Sequence, residues 1–92
     1  MSTPSITLAP AGAHRWRVEV RASTASSHEV TLPEGYLDKL GLAAAAPERV
    51  IEESFRFLLE REPNTSILVS FELSVIASYF PEYEKEIARR LA

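Results

Sequence analysis

The chain has no cysteine, which excludes a disulfide framework, a thiolate metal site and a cysteine nucleophile. Only three of its 92 residues are glycine, so it has no glycine-rich loop that could cradle a phosphate. No apolar run approaches the roughly 18 residues that a membrane-spanning helix needs. The N-terminus has neither the basic region nor the apolar region of a signal peptide. These absences predict a cytoplasmic protein that makes no membrane contact.

An excess of basic residues is also missing. The 10 lysines and arginines are outnumbered by 13 acidic residues, which gives a formal net charge of -3. A non-specific nucleic-acid binder is normally strongly basic, so this balance counts against nucleic acid as a partner. Hydrophobic residues make up 46% of the chain and charged residues 25%, which is typical of a soluble globular protein. The length allows one domain.

Recognisable catalytic motifs are absent as well. The only histidines, His14 and His28, lie beside predicted strands, and their spacing supports no serine–histidine–aspartate arrangement. We expect both to be partly exposed residues at strand ends. The glutamates alternate with arginine and lysine on helix faces that should be solvated. The sequence therefore predicts no enzymatic activity, no metal site and no cofactor.

Alternating apolar and polar residues predict a β-hairpin near the N-terminus. Trp16, Val18 and Val20 alternate with charged residues, which is the pattern of a half-buried strand. A segment rich in serine and threonine, residues 22–27, forms the expected turn. Residues 28–32 are the expected return strand.

The domain boundary is expected after residue 13. Residues 1–13 carry no charged side chain, and they are predicted to form a flexible tail or an extended strap held by Ile6 and Leu8. Residues 14–92 are predicted to form a single domain. The hairpin could be extended by residues 67–69 or by a partner chain, because a lone hairpin is only marginally stable.

The rest of the chain is predicted to be helical. A short helix is expected over residues 34–40, and the longest over residues 47–62, where Phe55 lies near the middle of a wide apolar face. Two more are expected over residues 72–80 and 81–91, separated by a proline. The predicted fold class is α+β, with an N-terminal β-hairpin packed on three to four short helices.

Three arginines form the first candidate interaction surface. Arg15, Arg17 and Arg21 are expected to project from one face of the hairpin, where they could contact phosphate or an acidic protein surface. The alternative is a solvated sheet face on which the arginines pair with Glu19 and Glu29.

Aromatic residues form the second candidate. Interface cores are enriched in tyrosine and phenylalanine, so an aromatic cluster late in the chain could contact a protein partner. The alternative is that these side chains cap the longest helix inside the core. The cluster consists of Phe71, Tyr79, Phe80 and Tyr83.

Two segments within residues 28–62, HEVTLPEGYLDKLGL and PERVIEESFRFLLERE, resemble the strand and helices of a ribbon-helix-helix unit. Proteins of that family dimerise through the strand and read the DNA major groove with its outward side chains. In this chain those side chains would be Glu29 and Thr31. This resemblance implies a DNA-binding regulator or an antitoxin.

A broader resemblance covers roughly residues 15–87. The segments VTLPEGYLDKLGL, ESFRFLLEREP, SIL and FELSVIASYFPEYE are similar to a family of short, uncharacterised bacterial proteins. The resemblance implies a self-contained bacterial domain that includes the C-terminal segment. It implies no activity and no functional residue.

The expected function is that of a small cytoplasmic, non-enzymatic interaction or regulatory module that acts on an unknown protein partner. We also expect a homodimer, because a hairpin leaves a strand edge unpaired and an apolar face to be covered. The alternative is a DNA-binding regulator or antitoxin of the ribbon-helix-helix type.

Overall fold

The computed structural model describes residues 4–91, in which one sheet packs against four α-helices. The strands are β1 (Ser5–Gly12), β2 (Arg15–Arg21), β3 (Ala25–Thr31) and β4 (Ser70–Glu72). The helices are α1 (Tyr36–Lys39), α2 (Pro47–Leu59), α3 (Ile76–Tyr79) and α4 (Tyr83–Leu91), and two 3-10 turns cover Asn64–Ser66 and Leu73–Val75. The predicted α+β class, with a hairpin at the N-terminus packed on helices, is confirmed.

The sheet order is β1-β2-β3-β4. The first three strands form an antiparallel meander, and β4 pairs parallel to β3. The predicted hairpin corresponds to β2 and β3, and it places Trp16 opposite Val30 and Arg17 opposite Glu29. Its turn is tighter than expected, because β3 begins at Ala25 and not at His28.

The N-terminal segment belongs to the sheet. Of the two alternatives for residues 1–13, residues 5–12 take the extended one and form the eight-residue strand β1. Ile6 lies opposite Val20 and Leu8 opposite Val18, so both side chains join the apolar side of the sheet. The ordered fold therefore begins before the expected boundary at residue 14. Residues 1–3 lie outside the described residues.

The core lies between one face of the sheet and α2. Val18, Val20 and Val30 are fully buried, as the alternation in β2 and β3 requires. Phe55, at the centre of the apolar face of α2, is also fully buried, and its ring centroid lies 6.0 Å from that of Phe71. The predicted burial of Phe55 is confirmed.

The segment after α2 differs most from the sequence-based expectation. Residues 72–80 were expected to form one helix, but they contain the end of β4, a 3-10 turn and the four-residue helix α3. The strand that extends the hairpin is Ser70–Glu72, just after the expected residues 67–69. Helix α4 begins at Tyr83, two residues after Pro81. Within residues 4–91, no helix is both long enough and apolar enough to cross a membrane.

Candidate interaction groove

An apolar groove of about 270 Å³ opens between the C-terminal end of α2, the strand β4 and the helix α3. Its walls come from short segments that follow one another within residues 58–80. They are Leu58 in the last turn of α2 and Glu62 just after it, Ser66, Ile67 and Leu68 before β4, Phe71 in β4, and Val75, Ile76, Tyr79 and Phe80 in and beside α3.

Large apolar side chains are exposed at and beside this groove. Leu68 and Tyr79, which line it, are 46% and 66% exposed, and Val69 beside them is 73% exposed. Single exposed apolar residues are ordinary, but neighbouring ones around a concave surface are typical of a protein interaction site. All the large hydrophobic residues that are exposed within residues 4–91 lie in this region.

A buried hydrogen-bond chain fixes the segment that carries Leu68 and Val69. The Nδ1 atom of His28 lies 2.7 Å from the carbonyl oxygen of Leu68, and its Nε2 atom lies 2.8 Å from Ser26 Oγ. Because a carbonyl oxygen only accepts, Nδ1 donates to it, and in the neutral ring Nε2 accepts from the Ser26 hydroxyl. The groove wall is thus tied to β3.

Asn64 extends this chain to the β2–β3 turn. Its Nδ2 atom donates to the carbonyl oxygen of Thr24 and to Ser26 Oγ, both at 2.8 Å. The Asn64 side chain is buried, so these two bonds satisfy donors that water does not reach. The rigid wall of the groove therefore depends on polar groups about 40 residues away in sequence.

The free edge of β4 runs beside the groove. The Glu29 backbone N–H donates to the Val69 carbonyl oxygen at 2.7 Å, and Glu29 lies opposite Ser70. The Val69 carbonyl thus points towards β3, and backbone groups alternate in direction along a strand. The N–H and C=O groups of Ser70 and Glu72 therefore point away from β3. The only strand neighbour of β4 in the described part of the chain is β3. The edge can therefore accept an added strand.

Among the described residues 4–91, Glu62 is the only charged one that lines the groove. No basic side chain within residues 4–91 lies within 4.0 Å of its carboxylate. Nearby, Arg61 stacks on the Phe57 ring at 3.6 Å from the centroid and pairs with Glu82 at 3.4 Å. The groove thus combines apolar walls with one acidic group that is open to a cationic partner.

The structure separates the four predicted aromatic residues. Phe71, Tyr79 and Phe80 line the groove, as a partner-contact surface requires. Tyr83 does not belong to it, because this side chain is fully buried against Phe57 with ring centroids 5.3 Å apart. The i, i+4 spacing of Tyr83 and Ile87 suits a core helix face, and both are core residues.

The buried phenols have structural partners. Tyr83 lies 2.6 Å from Ser54 Oγ, which donates to the Val50 carbonyl, so the phenol donates to Ser54. The hydroxyl of Tyr36 donates to Glu84 at 2.8 Å. Burial raises the pKa of both phenols above the ordinary value, so they stay protonated and act as hydrogen-bond donors.

The three predicted arginines lie on the opposite face of the sheet from the helices. Arg15, Arg17 and Arg21 are all exposed, and Arg15 pairs with Glu29 at 3.2 Å. Glu19 lies among them on the same face of β2. Exposed ion pairs of this kind contribute little to stability. This basic face and the groove are separate surfaces.

The two histidines differ, because His14 is exposed beside the end of a strand, as expected, and His28 is not. His14 is exposed in the β1–β2 turn with a φ of 58°, whereas His28 is only 3% exposed and is not a strand-end residue. It lies within β3 on the core side, opposite Val18, and its two ring nitrogens form hydrogen bonds with Ser26 Oγ and the Leu68 carbonyl oxygen. No group of three or more potential metal ligands occurs among residues 4–91.

Several groove residues carry no sequence signal of their own. Leu58 and Ile76 are indistinguishable from core residues in a helical pattern, and Glu62 resembles any charged residue at a helix end. The run Ile67, Leu68 and Val69 was noticed only as a strand or buried connector. Ile67 is buried whereas Leu68 and Val69 are exposed, and the hydrogen bond that the Leu68 carbonyl accepts from His28 is one that no local pattern predicts.

Comparison of the chain with protein-family models, curated proteins and solved structures finds no match.

Proposed function

We propose that this protein is a cytoplasmic, non-enzymatic interaction module of bacterial origin. Its groove binds an extended apolar segment of a partner protein that carries a basic residue. The observation behind the proposal is the combination of an apolar groove, exposed Leu68, Val69 and Tyr79, and a free strand edge in one place. A bound strand would pair with the backbone of β4 and place alternate side chains in the groove.

The chemistry of the groove supports this occupant. Backbone groups of Ser70 and Glu72 offer hydrogen bonds that do not depend on the sequence of the partner. Specificity would come from the groove, since Phe71, Tyr79 and Phe80 favour large apolar side chains. Glu62 adds a preference for lysine or arginine in the bound segment, because its carboxylate would otherwise be covered without a counter-charge.

A DNA-binding regulator of the ribbon-helix-helix type is the alternative. It requires β3 to pair with its counterpart in a second chain, and β3 here has β2 on one side and β4 on the other. Glu29, at the position that would face DNA, pairs with Arg15. Sequence-selective binding of duplex DNA below about micromolar concentration at near-physiological salt would favour this alternative over the groove.

The direct experiment is an affinity selection of random displayed dodecapeptides on the immobilised protein. The enriched peptides are then measured by fluorescence anisotropy. We expect alternating apolar residues and at least one basic residue. Tyr79→Asp should weaken binding at least about tenfold, because it places a charge on an apolar wall. Glu62→Gln should weaken it less and reduce its dependence on salt.

Ser78→Asp is the matched control. Ser78 is an exposed neighbour of Tyr79 in α3 and does not line the groove. It should leave peptide affinity unchanged. A selection that yields no peptide, or peptides that bind wild type and Tyr79→Asp equally, would reject the groove as the binding site.

A further inference from the structure

The edge of the sheet opposite β4 is independent of the groove. β1 is the edge strand at that side, and β2 is its only strand neighbour within the described residues. No residue from Pro4 to Ala13 carries a charged side chain. Edge strands of natural proteins are usually blunted by charge, by proline or by a covering element. The β1 edge carries no charge, and Pro4 and Pro10 lie at its two ends.

The direction of the backbone groups in β1 follows from the sheet register. The Glu29 N–H points towards β4, so the backbone N–H and C=O groups of the odd-numbered residues of β3 face β4. The backbone groups of the even-numbered residues of β3 therefore face β2, and those of their partners in β2 face β3. The backbone groups of the odd-numbered residues of β2 then point towards β1, where these residues lie opposite Ser5, Thr7 and Ala9. Ile6 and Leu8 consequently direct their N–H and C=O groups outward, away from β2.

Two prolines limit the number of outward-pointing backbone donors on β1. Pro4 and Pro10 lie two residues before Ile6 and two residues after Leu8, and neither has an N–H group. The donors available on the edge are therefore those of Ile6 and Leu8. The edge can pair with one further strand over a short stretch, and proline stops the ladder at both ends.

The sequence of this edge is close to symmetrical about Thr7. Read outward from Thr7, the residues are Ile6 and Leu8, then the small Ser5 and Ala9, then Pro4 and Pro10. In an antiparallel pair of two such strands, each residue therefore lies opposite one of similar size. The strand that fits this edge best is β1 of a second copy.

We propose that two copies of the protein associate through β1 about a two-fold axis at Thr7, which gives one continuous eight-stranded sheet. Ile6 and Leu8 of each copy exchange backbone hydrogen bonds with Leu8 and Ile6 of the other. Their half-buried side chains form apolar cross-strand pairs on the helix side. The two Thr7 side chains meet on the open face, where threonine pairs are favourable. The prolines lie opposite each other, and because neither has an N–H group the ladder ends at the Ile6 and Leu8 pairs.

The contact is small, so the association should be weak. A short ladder and a few apolar side chains bury less than the roughly 1,200 Å² of a stable interface. We expect a dissociation constant on the order of tens of micromolar. Light scattering coupled to size-exclusion chromatography should show a mass that rises from 10.2 kDa towards twice that value as concentration increases.

The absence of cysteine allows a direct test of the register. Thr7→Cys places two thiols at directly opposed, non-hydrogen-bonded positions, whose Cα separation of about 4.5 Å permits a disulfide. Ser5→Cys is the matched control, because it is exposed on the same face of the same strand. Its thiols would lie about 13 Å apart in the dimer. Thr7→Cys should be oxidised to a covalent dimer at least about tenfold faster than Ser5→Cys.

Leu8→Pro should disrupt the proposed pairing of β1 with a second copy. It removes an outward N–H that the chain's own sheet does not use, so circular dichroism should stay unchanged while the mass falls to that of the monomer. If this variant unfolds, the cysteine pair alone decides. A mass of 10.2 kDa up to about millimolar concentration, or equal oxidation rates for the two cysteine variants, would overturn the proposal. So would a dimer that Tyr79→Asp dissociates, since it would place the interface at the groove.

Discussion

Phe55 shows how one residue connects the sheet to the helix layer. It is fully buried on α2, and its ring lies 5.4 Å from the ring of His28 and 6.0 Å from that of Phe71. The same residue therefore packs against the hydrogen-bond chain and against the groove wall. Its position at the centre of the apolar arc of α2 was predictable from helical periodicity alone.

Phe55→Ala should lower the free energy of unfolding by about 3–5 kcal/mol, because it leaves a cavity at the centre of a small core. Such a loss is a large part of the stability of a domain of this size. Urea denaturation followed by fluorescence of Trp16 measures it. Phe71→Ala, at a partly buried groove position, should cost less. Equal unfolding midpoints for wild type and Phe55→Ala would contradict the assigned core.

His28 is the residue where sequence reasoning failed most clearly. Histidine at the expected start of a strand suggested partial exposure. The side chain is buried because Ser26 Oγ and the Leu68 carbonyl satisfy its two ring nitrogens, and Asn64 in turn donates to Ser26 Oγ. Asn64 and Leu68 lie 36 and 40 residues away along the chain, and no local pattern links them. Long-range polar contacts of this kind cannot be read from one sequence.

At the scale of elements, strong periodicity predicted well and weak periodicity predicted poorly. The hairpin and α2 were predicted because their apolar residues repeat with clear periods of two and 3.6. For β1 the sequence predicts either a flexible tail or an extended strap, because Ile6 and Leu8 are its only large apolar residues. β4 has only three residues, and its pairing with β3 is parallel and distant in sequence. The sequence pointed to Phe71, Tyr79 and Phe80 as possible partner contacts, but it did not predict the groove that they line, since that exists only where these elements meet.

Asn64 joins the turn after α2 to the β2–β3 hairpin. Asn64→Ala leaves the Thr24 carbonyl and the Ser26 hydroxyl without their amide donor. We expect a loss of about 1–3 kcal/mol in the free energy of unfolding, which is typical of a broken buried hydrogen bond. Thr65→Ala changes an exposed neighbour and should cost little. If the two variants unfold at the same urea concentration, the buried amide does not hold these elements together.

Charged side chains join α4 to α2. Arg90 lies 2.9 Å from Glu86 and 2.8 Å from Glu60. Hydrogen bonds from Arg89 and then Arg90 lower the pKa of Glu86 from its usual 4.5 to about 2, and Arg90 also lowers that of Glu60. A carboxyl with a lowered pKa stabilises the fold above its unfolded-state pKa. This contribution is lost as the pH falls from about 4.5 to about 2.

Glu86→Gln tests whether the ionised Glu86 carboxylate stabilises the fold in this way. The variant should be less stable than wild type at neutral pH, and the difference should shrink as the pH falls through that interval. Lys85→Gln is the control, since Lys85 is exposed and has no ion pair within 4.0 Å among residues 4–91. Thermal unfolding of the three proteins across the pH range measures the effect. A constant difference between Glu86→Gln and wild type would contradict the assigned ion pairs.

At the scale of the whole molecule, the two edges of the sheet differ in chemistry. The β1 edge is uncharged, bracketed by prolines and nearly symmetrical in sequence, which suits a second copy of the chain. The β4 edge is short and lies beside an apolar groove with one free carboxylate, which suits a different partner. Because they lie at opposite ends of the strand order, both edges can be occupied at the same time.

Amide hydrogen exchange with and without a selected groove peptide tests the central claim most directly. If a partner strand pairs with β4, exchange at the Ser70 and Glu72 amides should slow at least about tenfold, because their N–H groups become hydrogen-bonded. The amides of Ile6 and Leu8 should be unaffected. Protection on the arginine face of β2, or binding that leaves Ser70 and Glu72 unprotected, would contradict the account.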